Sequence, residues 1–394
     1  MNNILYIFII IFPIIDVFTS FNIRYNLMPI SPSITIRGIF LLYCFIYTII
    51  KKNKKILIYY LILLVFFIVF ISLKINTNIS NYLLVNEIKI FIKFWYFPIS
   101  LIFLNIFKID NKKLNKSIKL SIILYILFIL LPLLTNTAFN SYDKYFKGIV
   151  GWYYSANELG TILSSNLILL YLMLNKNDKL IPILIILNIF TLSLIGTKVS
   201  LLSIIIITSS TFLIYLIKDK KNIKIPLIIL IISIILISIN SNSYDILKRI
   251  TPDITPVFKD NDEIINTSFI NKILSGRDVY LLNTYYKYKS TNIMNKLFGL
   301  GFTYNNKISV TEMDLFDILF GYGIIGLLIY FIPLIYYIIK NIHIKLNINN
   351  LICILGFILI FTISILSGHT LSAPAVSIYL SLIINSINKK NKHE

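Results

Sequence analysis

Charged residues are scarce in this chain. Only 14% of its 394 residues are Asp, Glu, Lys or Arg, while 57% are hydrophobic and the mean hydropathy is +0.82. Soluble domains are about a quarter charged. A soluble core cannot bury so much apolar surface, so the composition excludes an ordinary soluble protein and predicts that lipid is the solvent.

Cysteine and histidine are also rare, at two and three residues. Cys44 and Cys353 lie inside apolar runs and have no Cys or His partner at metal-ligand spacing. Neither a disulfide framework nor a metal site is therefore expected. None of the histidines falls in 241–313, the one long polar segment of the sequence.

Acidic residues are outnumbered by basic ones, which gives a formal net charge of +20. Such a charge would suggest nucleic acid, but the lysines form short clusters between apolar runs rather than one basic face. We therefore expect no nucleic-acid partner. The abundance of Ile, Leu, Asn and Lys is typical of an AT-rich bacterial genome.

Apolar runs account for most of the chain. A spanning helix needs about 20 mostly apolar residues, and twelve runs approach that length, which predicts an all-α polytopic membrane protein. The runs are 3–20, 34–50, 56–73, 88–107, 118–134, 156–175, 181–196, 200–217, 225–240, 314–339, 349–366 and 370–387. No small-residue cleavage site follows the first run, so we interpret it as an uncleaved helix.

The loops between these runs differ in their positive charge. One alternating set of loops, which includes the C-terminal tail, holds 20 Lys, and the short loops of the opposite set hold five Lys or Arg. Because positive loops stay in the cytoplasm, both termini are predicted to be cytoplasmic in the bacterial plasma membrane. The chain then divides into nine spans (1–240), a long extracytoplasmic loop (241–313), and three spans with a cytoplasmic tail (314–394).

The long loop contains a pattern of its own. Apolar and aromatic positions recur at helical spacing in RDVYLLNTYYKYK (277–289), which predicts an amphipathic helix that lies on the membrane surface or covers a cavity. The glycines of GLGF (299–302) predict a turn after it.

Charged residues in or beside the apolar runs are candidates for function, because their burial in lipid is costly. Arg37 opens the second run, and Lys198 lies between two runs. Lys74 and Lys89 lie near helix ends, where we interpret them as side chains that reach toward the membrane surface. Lys93 lies four residues after Lys89 and therefore on the same helical face.

Four short segments around the long loop resemble the O-antigen polymerase and ligase family. They are NELG (157–160) after an aromatic loop, GTKVS (196–200), SGR (275–277) with GLG (299–301), and EMD (312–314) with GIIG (323–326). Ligases of this family have a His, then a small polar residue and nine further residues before G-x-x-G. In this chain Glu312 takes the His position.

This resemblance implies a fold and an activity. The fold would be that of a GT-C-like membrane glycosyltransferase, and the substrate a polyprenyl-diphosphate-linked oligosaccharide in the lipid bilayer. The reaction would make capsule, exopolysaccharide or O-antigen, with a flippase and a chain-length regulator as partner proteins. Because Glu312 replaces histidine, the resemblance favours a polymerase of repeat units over a ligase.

The chemistry assigns roles to the candidate residues. Glycosyl transfer requires cations that stabilise the leaving diphosphate, and Arg277 suits this task, assisted by Lys198 and Arg37. It also requires a base for the acceptor hydroxyl, for which Glu312 is the first choice and Asp314 the second. Because guanidinium and ammonium groups can replace a metal, we expect neither a metal nor another cofactor. The remaining candidates are Asn157, Glu158 and Asp317.

Each motif also has a structural explanation. Glu312 is equally explained as an acid that favours the positive end of a helix dipole, and Gly323 and Gly326 are better explained by close helix packing.

Other functions are also open. A ligase is the nearest alternative to a polymerase. A flippase for lipid-linked oligosaccharides also has about a dozen spans, but such transporters usually show internal repeats and midplane charges, and neither is evident here. A structural scaffold would leave the charges at the membrane edge without a reason.

Overall fold

The computed structural model describes residues 3–29, 31–51, 53–75, 80–142, 147–174, 178–239, 274–304, 307–308, 310–340, 346–368 and 370–387. These residues are mostly helical. Nine helices precede the long loop: α1 (Ile4–Tyr25), α2 (Pro32–Ile50), α3 (Lys54–Ile75), α4 (Asn81–Ile106), α5 (Asn111–Leu134), α6 (Ala156–Tyr171), α7 (Leu180–Ile195), α8 (Lys198–Lys218) and α9 (Lys224–Ile239). The others are α10 (Arg277–Lys289), α11 (Ile293–Phe298), α12 (Asp314–Lys340), α13 (Ile348–Ser367) and α14 (Pro374–Ser386).

Every one of the twelve predicted apolar runs coincides with a helix. Within the described ranges, seven of these helices are long and apolar enough to cross a membrane, namely α1, α2, α3, α5, α8, α12 and α13. The helices α7, α9 and α14 are apolar but shorter. The chain is therefore a multi-pass membrane protein.

Two helices begin earlier than the apolar runs predicted. The stretch before α5 was expected to be a loop, but α5 starts at Asn111 because the Asp110 carboxylate accepts hydrogen bonds from the backbone N–H groups of Lys112 and Lys113. Such an N-cap satisfies donors that a helix start otherwise leaves open. The helix α4 also begins early, at Asn81, and its first turns carry the buried Glu87.

Six helices form a closed ring. In the order α1, α2, α4, α14, α6 and α5, each helix contacts the next, and α5 contacts α1 again. The helices α7, α8 and α13 pack beside α5, α6 and α14, and α9 packs on α7 and α8. The helices α3 and α12 pack beside α4. Tyrosines fill part of the ring, where the Tyr125 hydroxyl donates to Asp16 (2.9 Å) and Tyr379 shares a hydrogen bond with Ser121 (2.7 Å).

One end of the bundle carries the described part of the long loop. It consists of the C-terminal ends of α1, α3, α5, α7, α9 and α13 and the N-terminal ends of α2, α4, α6, α8, α12 and α14. The segment with α10 and α11 packs on this end against α12. We call this end of the bundle the loop end.

Two small antiparallel hairpins depart from the purely helical prediction. Strands β1 (Phe139–Tyr142) and β2 (Lys147–Gly151) join α5 to α6, with Asn140 opposite Ile149. The Ser141 hydroxyl donates to the carbonyl of Ile195 at the end of α7 (2.6 Å), which fixes the hairpin across the loop end. Strands β3 (Thr303–Tyr304) and β4 (Lys307–Ile308) form the second hairpin.

The long loop is described from residue 274 onward. The amphipathic helix predicted at 277–289 is confirmed as α10, with the same bounds. The Tyr288 hydroxyl donates to the carbonyl of Lys296 (2.7 Å), which joins α10 to α11. Burial raises the pKa of this hydroxyl above its ordinary value. Residues 299–302, where a turn was predicted, are not helical.

Candidate functional site

A cavity of about 300 Å³ opens at the loop end, inside the ring of six helices. Its walls come from α1, α2, α4, α6 and α14 and from the residues just before α6 and α14. The charged residues in its lining are Asp16, Arg37, Lys89, Lys93 and Glu158. Five charges around one cavity in apolar helices indicate function, since the buried ones, Asp16 and Arg37, are costly in such a bundle.

A buried ion pair lies in the wall of this cavity. The Arg37 guanidinium contacts the Asp16 carboxylate at 2.5 Å, and its other terminal nitrogen donates to the hydroxyl of Ser33. Both side chains are nearly inaccessible, at 7% and 14% exposure. The Arg37 Nε is buried without a hydrogen-bond partner, and Glu158 lies close enough to act electrostatically on the guanidinium.

Two lysines of α4 line the same cavity one helical turn apart. Lys89 is half-buried and Lys93 is exposed. The interpretation of Lys89 as a side chain that only reaches for the membrane surface is therefore incomplete, because it faces a polar cavity. For Lys74 that interpretation is wrong. Its side chain is only 5% exposed, and Nζ donates to the carbonyl of Gly299 (3.2 Å).

A second charged cluster lies in the described part of the long loop. Arg277 Nη2 and Glu312 Oε2 form an ion pair at 3.1 Å, with side-chain exposures of 11% and 40%. Arg277 also donates to the carbonyl of Leu274 (3.3 Å). The N-terminus of α10 thus presents a planar guanidinium to a partly exposed carboxylate.

Glu312 is held in an unusual backbone conformation. Its φ is +57°, in the left-handed region that costs non-glycine residues about 1–2 kcal/mol. Gly368 lies directly beneath it, since a Cβ at that position would meet the Glu312 carbonyl at 2.4 Å. Residues held this way cluster at functional sites. Glu312 precedes α12 by two residues and pairs with Arg277, so it makes a specific ion pair in addition to lying near the positive end of that helix.

Lys198 joins this cluster from the bundle. It is the first residue of α8, and its Nζ donates to the hydroxyl of Ser275 (3.2 Å), two residues before Arg277. Ser275 and Gly276 both have positive φ, at +57° and +84°, which turns the chain into α10. The structure therefore brings Lys198, Arg277 and Glu312 to one region.

Asp314 and Asp317 are buried in the same region and hold backbone. The Asp314 carboxylate accepts hydrogen bonds from the N–H groups of Thr370 and Leu371 (2.8 and 2.7 Å) and from the Ser372 hydroxyl (2.6 Å). Asp317 accepts from the N–H and hydroxyl of Thr311 (2.6 and 2.9 Å). Ser372 also lines the cavity, so Asp314 connects the cavity wall to the segment that carries Glu312.

A buried acid anchors the return of the loop. Glu87 Oε1 accepts hydrogen bonds from the N–H of Phe302 (2.7 Å) and from the N–H and hydroxyl of Thr303 (2.6 and 2.5 Å). A Cβ on Gly301 would meet both Glu87 Oε1 and Lys74 Cε, at 2.7 and 2.8 Å. The GLGF turn therefore fits between two charged side chains of α3 and α4.

A break in α12 receives this turn. Gly323 has φ +71°, and a Cβ there would lie 2.3 Å from the Leu297 carbonyl. The N–H groups of Leu300 and Gly301 donate to the carbonyls of Phe320 and Gly321 at 2.8 and 2.9 Å. Gly323 thus permits close approach of the C-terminal end of α11 to α12, which is the close helix packing expected from the sequence. Gly326 also serves packing, against Phe66 and Tyr322.

The predicted site residues fall into two neighbouring groups. Arg37 and Glu158 line the cavity, whereas Lys198, Arg277 and Glu312 do not. Asn157 lies half-buried in the first turn of α6, beside Glu158. That turn packs near Lys198, because Gly160 abuts Thr197 and Ser200 at the start of α8. The three histidines lie outside the described residues.

Two charged residues organise these groups, although neither was among the site residues predicted from the sequence. Asp16 neutralises Arg37, and Glu87 binds the loop. Each interrupts an apolar or helical stretch, and a charge in such a place needs a partner. The sequence shows each of these charges, but residue spacing alone does not identify the group that pairs with it.

A family model described as "O-antigen ligase like membrane protein" matches residues 1–269 and 258–388. No curated protein and no solved structure matches the chain. The family match supports a membrane glycan-processing enzyme of the glycosyltransferase type. Because this match covers nearly the whole chain, the protein belongs to the O-antigen ligase-like family of membrane proteins.

Proposed function

We propose that this protein is a polymerase that joins polyprenyl-diphosphate-linked oligosaccharide repeat units at the outer face of the bacterial plasma membrane. The product would be a capsule, an exopolysaccharide or an O-antigen. The observation that carries the proposal is the Arg277–Glu312 ion pair at the loop end, which combines a phosphate-binding cation with a candidate base.

Arg277 and Lys198 suit the leaving group. As the bond from the anomeric carbon to the diphosphate oxygen breaks, its electron pair leaves with the diphosphate, which gains negative charge. A guanidinium matches phosphate oxygens in a bidentate geometry, and Lys198 lies beside it through Ser275. Preorganised cations of this kind stabilise a developing anion without a metal.

Glu312 suits the acceptor. An acceptor hydroxyl attacks the anomeric carbon, and its proton passes to the Glu312 carboxylate. At 40% exposure this carboxylate is accessible to a sugar, whereas Asp314 is 1% exposed and saturated by three hydrogen bonds. We therefore give Asp314 and Asp317 positioning roles and keep Glu312 as the base. When substrate enters, its diphosphate replaces Glu312 as the partner of Arg277 and frees the carboxylate.

The membrane plan of the proposal rests on the lysine distribution. Twelve helices, α1 to α9 and α12 to α14, would span the bilayer in a GT-C-like arrangement. The positive loops support a topology with both termini in the cytoplasm and the loop end outside. A flippase would deliver substrate to this side, and a chain-length regulator would act on the product.

The assignment of polymerase rather than ligase rests on Glu312 at the family's histidine position. Glycan analysis of a strain that lacks the protein tests it. We expect single repeat units on the lipid carrier at the outer face. Full-length chains that are not transferred to an acceptor would identify a ligase, and precursor confined to the cytoplasmic face would identify a flippase. Either result would overturn the proposal.

Complementation of that strain tests the residues. Arg277→Ala and Glu312→Ala are each expected to abolish polymer while the protein is still inserted in the membrane. Lys289→Ala, at the exposed far end of α10, is the matched control and should restore wild-type chains. Wild-type polymer length in either of the first two variants would contradict the site assignment.

A further inference from the structure

The cavity inside the ring of six helices is physically distinct from the Arg277–Glu312 pair. None of Lys198, Arg277 and Glu312 lines it. A polymerase must hold two lipid-linked molecules at once, a donor and an acceptor, and each carries its own diphosphate. In the loop, Arg277 and the neighbouring Lys198 provide the cations for one diphosphate. The cavity is then available for the other.

The positive charge of the cavity is only partly neutralised. Arg37 is paired with Asp16, while Lys89 and Lys93 form no ion pair with any carboxylate among the described residues. Glu158 also lines the cavity, so its three cations outnumber its two carboxylates by one. The half-buried Lys89 and the buried Arg37, whose Nε has no hydrogen-bond partner, are costly in an apolar bundle, and the exposed Lys93 adds a third cation on the same face of α4 as Lys89. An anionic ligand would offset that cost.

The lining suits a phosphorylated sugar. Thr19, Ser31, Ser155 and Ser372 line the cavity together with the tyrosines that precede α6. The hydroxyls of Thr19, Ser31 and Ser155 accept hydrogen bonds from backbone N–H groups, which leaves their own O–H groups able to donate to a ligand. A volume of about 300 Å³ is at the small end for ligand pockets. It therefore accommodates a diphosphate and its first sugar rather than a whole repeat unit.

Apolar side chains form the edge of the cavity. Ile23, Ile34 and Ile92 contribute to its lining and are 43%, 39% and 43% exposed. They lie on α1, α2 and α4, around a polar interior. A ligand with a charged head and a hydrocarbon tail satisfies both parts, with its head among the lysines and its first tail carbons against the isoleucines.

We propose that this cavity binds the diphosphate and first sugar of a second polyprenyl-linked glycan, through Lys89, Lys93 and Arg37. The identity of this ligand rests on the proposed polymerase function. An anionic phospholipid head group shares part of this chemistry. The diphosphate is the better match, because it carries more negative charge for the three cations and its attached sugar can use the hydroxyl-rich wall.

Counting diphosphate sites tests the proposal. Native mass spectrometry of the purified full-length protein, titrated with farnesyl diphosphate, should detect two bound molecules. The Lys89→Gln/Lys93→Gln variant should lose one of them, with binding at that site weakened roughly tenfold or more. Arg277→Ala should lose the other. The control variant Lys112→Gln/Lys116→Gln changes two exposed lysines with the same spacing, at the end of α5 that is remote from the loop end. This variant should keep both bound molecules.

The competing results are distinct. Two sites retained in the Lys89→Gln/Lys93→Gln variant, or a single site in the wild type, would overturn the cavity proposal. Displacement of the farnesyl diphosphate from this site by an equal concentration of phosphatidylglycerol would identify a phospholipid site and also overturn it. Since binding is measured without turnover, a ligase or flippase result in the deletion strain would contradict the proposed function alone and leave the site count to be judged separately.

Discussion

Two properties coincide at Glu312, a carboxylate side chain and a strained backbone. The substitution Glu312→Gly tests which of the two matters. Glu312 has φ +57°, a conformation that glycine adopts without penalty. Glu312→Gly therefore removes the candidate base and relieves strain at the same time. If the residue has only a structural role, such a variant should be tolerated, and if it is the base, it should be inactive.

The expected change in stability is small. Relief of the left-handed conformation contributes about 1–2 kcal/mol, while the added backbone entropy of glycine costs about 0.5–1 kcal/mol. The lost ion pair is worth about 0–1 kcal/mol, because the Glu312 side chain is 40% exposed and water screens it. The free energy of unfolding should thus stay within about 1 kcal/mol of the wild type.

The expected change in activity is large. Loss of a general base typically slows a reaction by about 10²–10⁴. Glu312→Gly and Glu312→Gln should both fail to extend lipid-linked repeat units, while thermal unfolding of the purified proteins stays near that of the wild type. Wild-type chain extension by the glycine variant would refute a catalytic role for this carboxylate.

Three further outcomes follow from the contacts of the bundle. Arg37→Gln should destabilise the protein by about 3–5 kcal/mol in thermal unfolding, because it leaves Asp16 buried without its charge partner. Adding Asp16→Asn to the same chain should recover part of this loss. No recovery would contradict a direct pair. Glu87→Ala should raise hydrogen exchange at the amides of 302 and 303, which lose their acceptor, while unchanged exchange would show that the loop is held otherwise. Gly323→Ala should prevent stable folding, judged by expression and gel filtration, since its Cβ would lie 2.3 Å from the Leu297 carbonyl; a stable, monodisperse variant would contradict the close approach.

Local patterns were enough to predict the helices. The apolar positions of 277–289 recur at helical spacing, and α10 forms with those bounds. The start of α5 was missed because polar residues fill its first turns, and the start of α4 because Asn86, Glu87 and Lys89 interrupt its apolar residues. Only the Asp110 cap and the burial of Glu87 explain why those turns are helical.

The site was less accessible to sequence reasoning. The family resemblance placed Arg277 and Glu312 around one loop, but their contact at 3.1 Å depends on how the loop folds against α12. Nor does any spacing pair Asp16 with Arg37, which lie on different helices. The positive φ of Glu312 is equally invisible, because most residues in that conformation are glycine.

Reconstitution tests the central claim most directly. Purified protein in liposomes, supplied only with a polyprenyl-diphosphate-linked repeat unit, should produce a ladder of longer lipid-linked chains and release free polyprenyl diphosphate. The Glu312→Gln protein should produce neither. If the wild-type protein leaves the single units unchanged, or if the variant produces the same ladder, the polymerase assignment or its catalytic residue is contradicted.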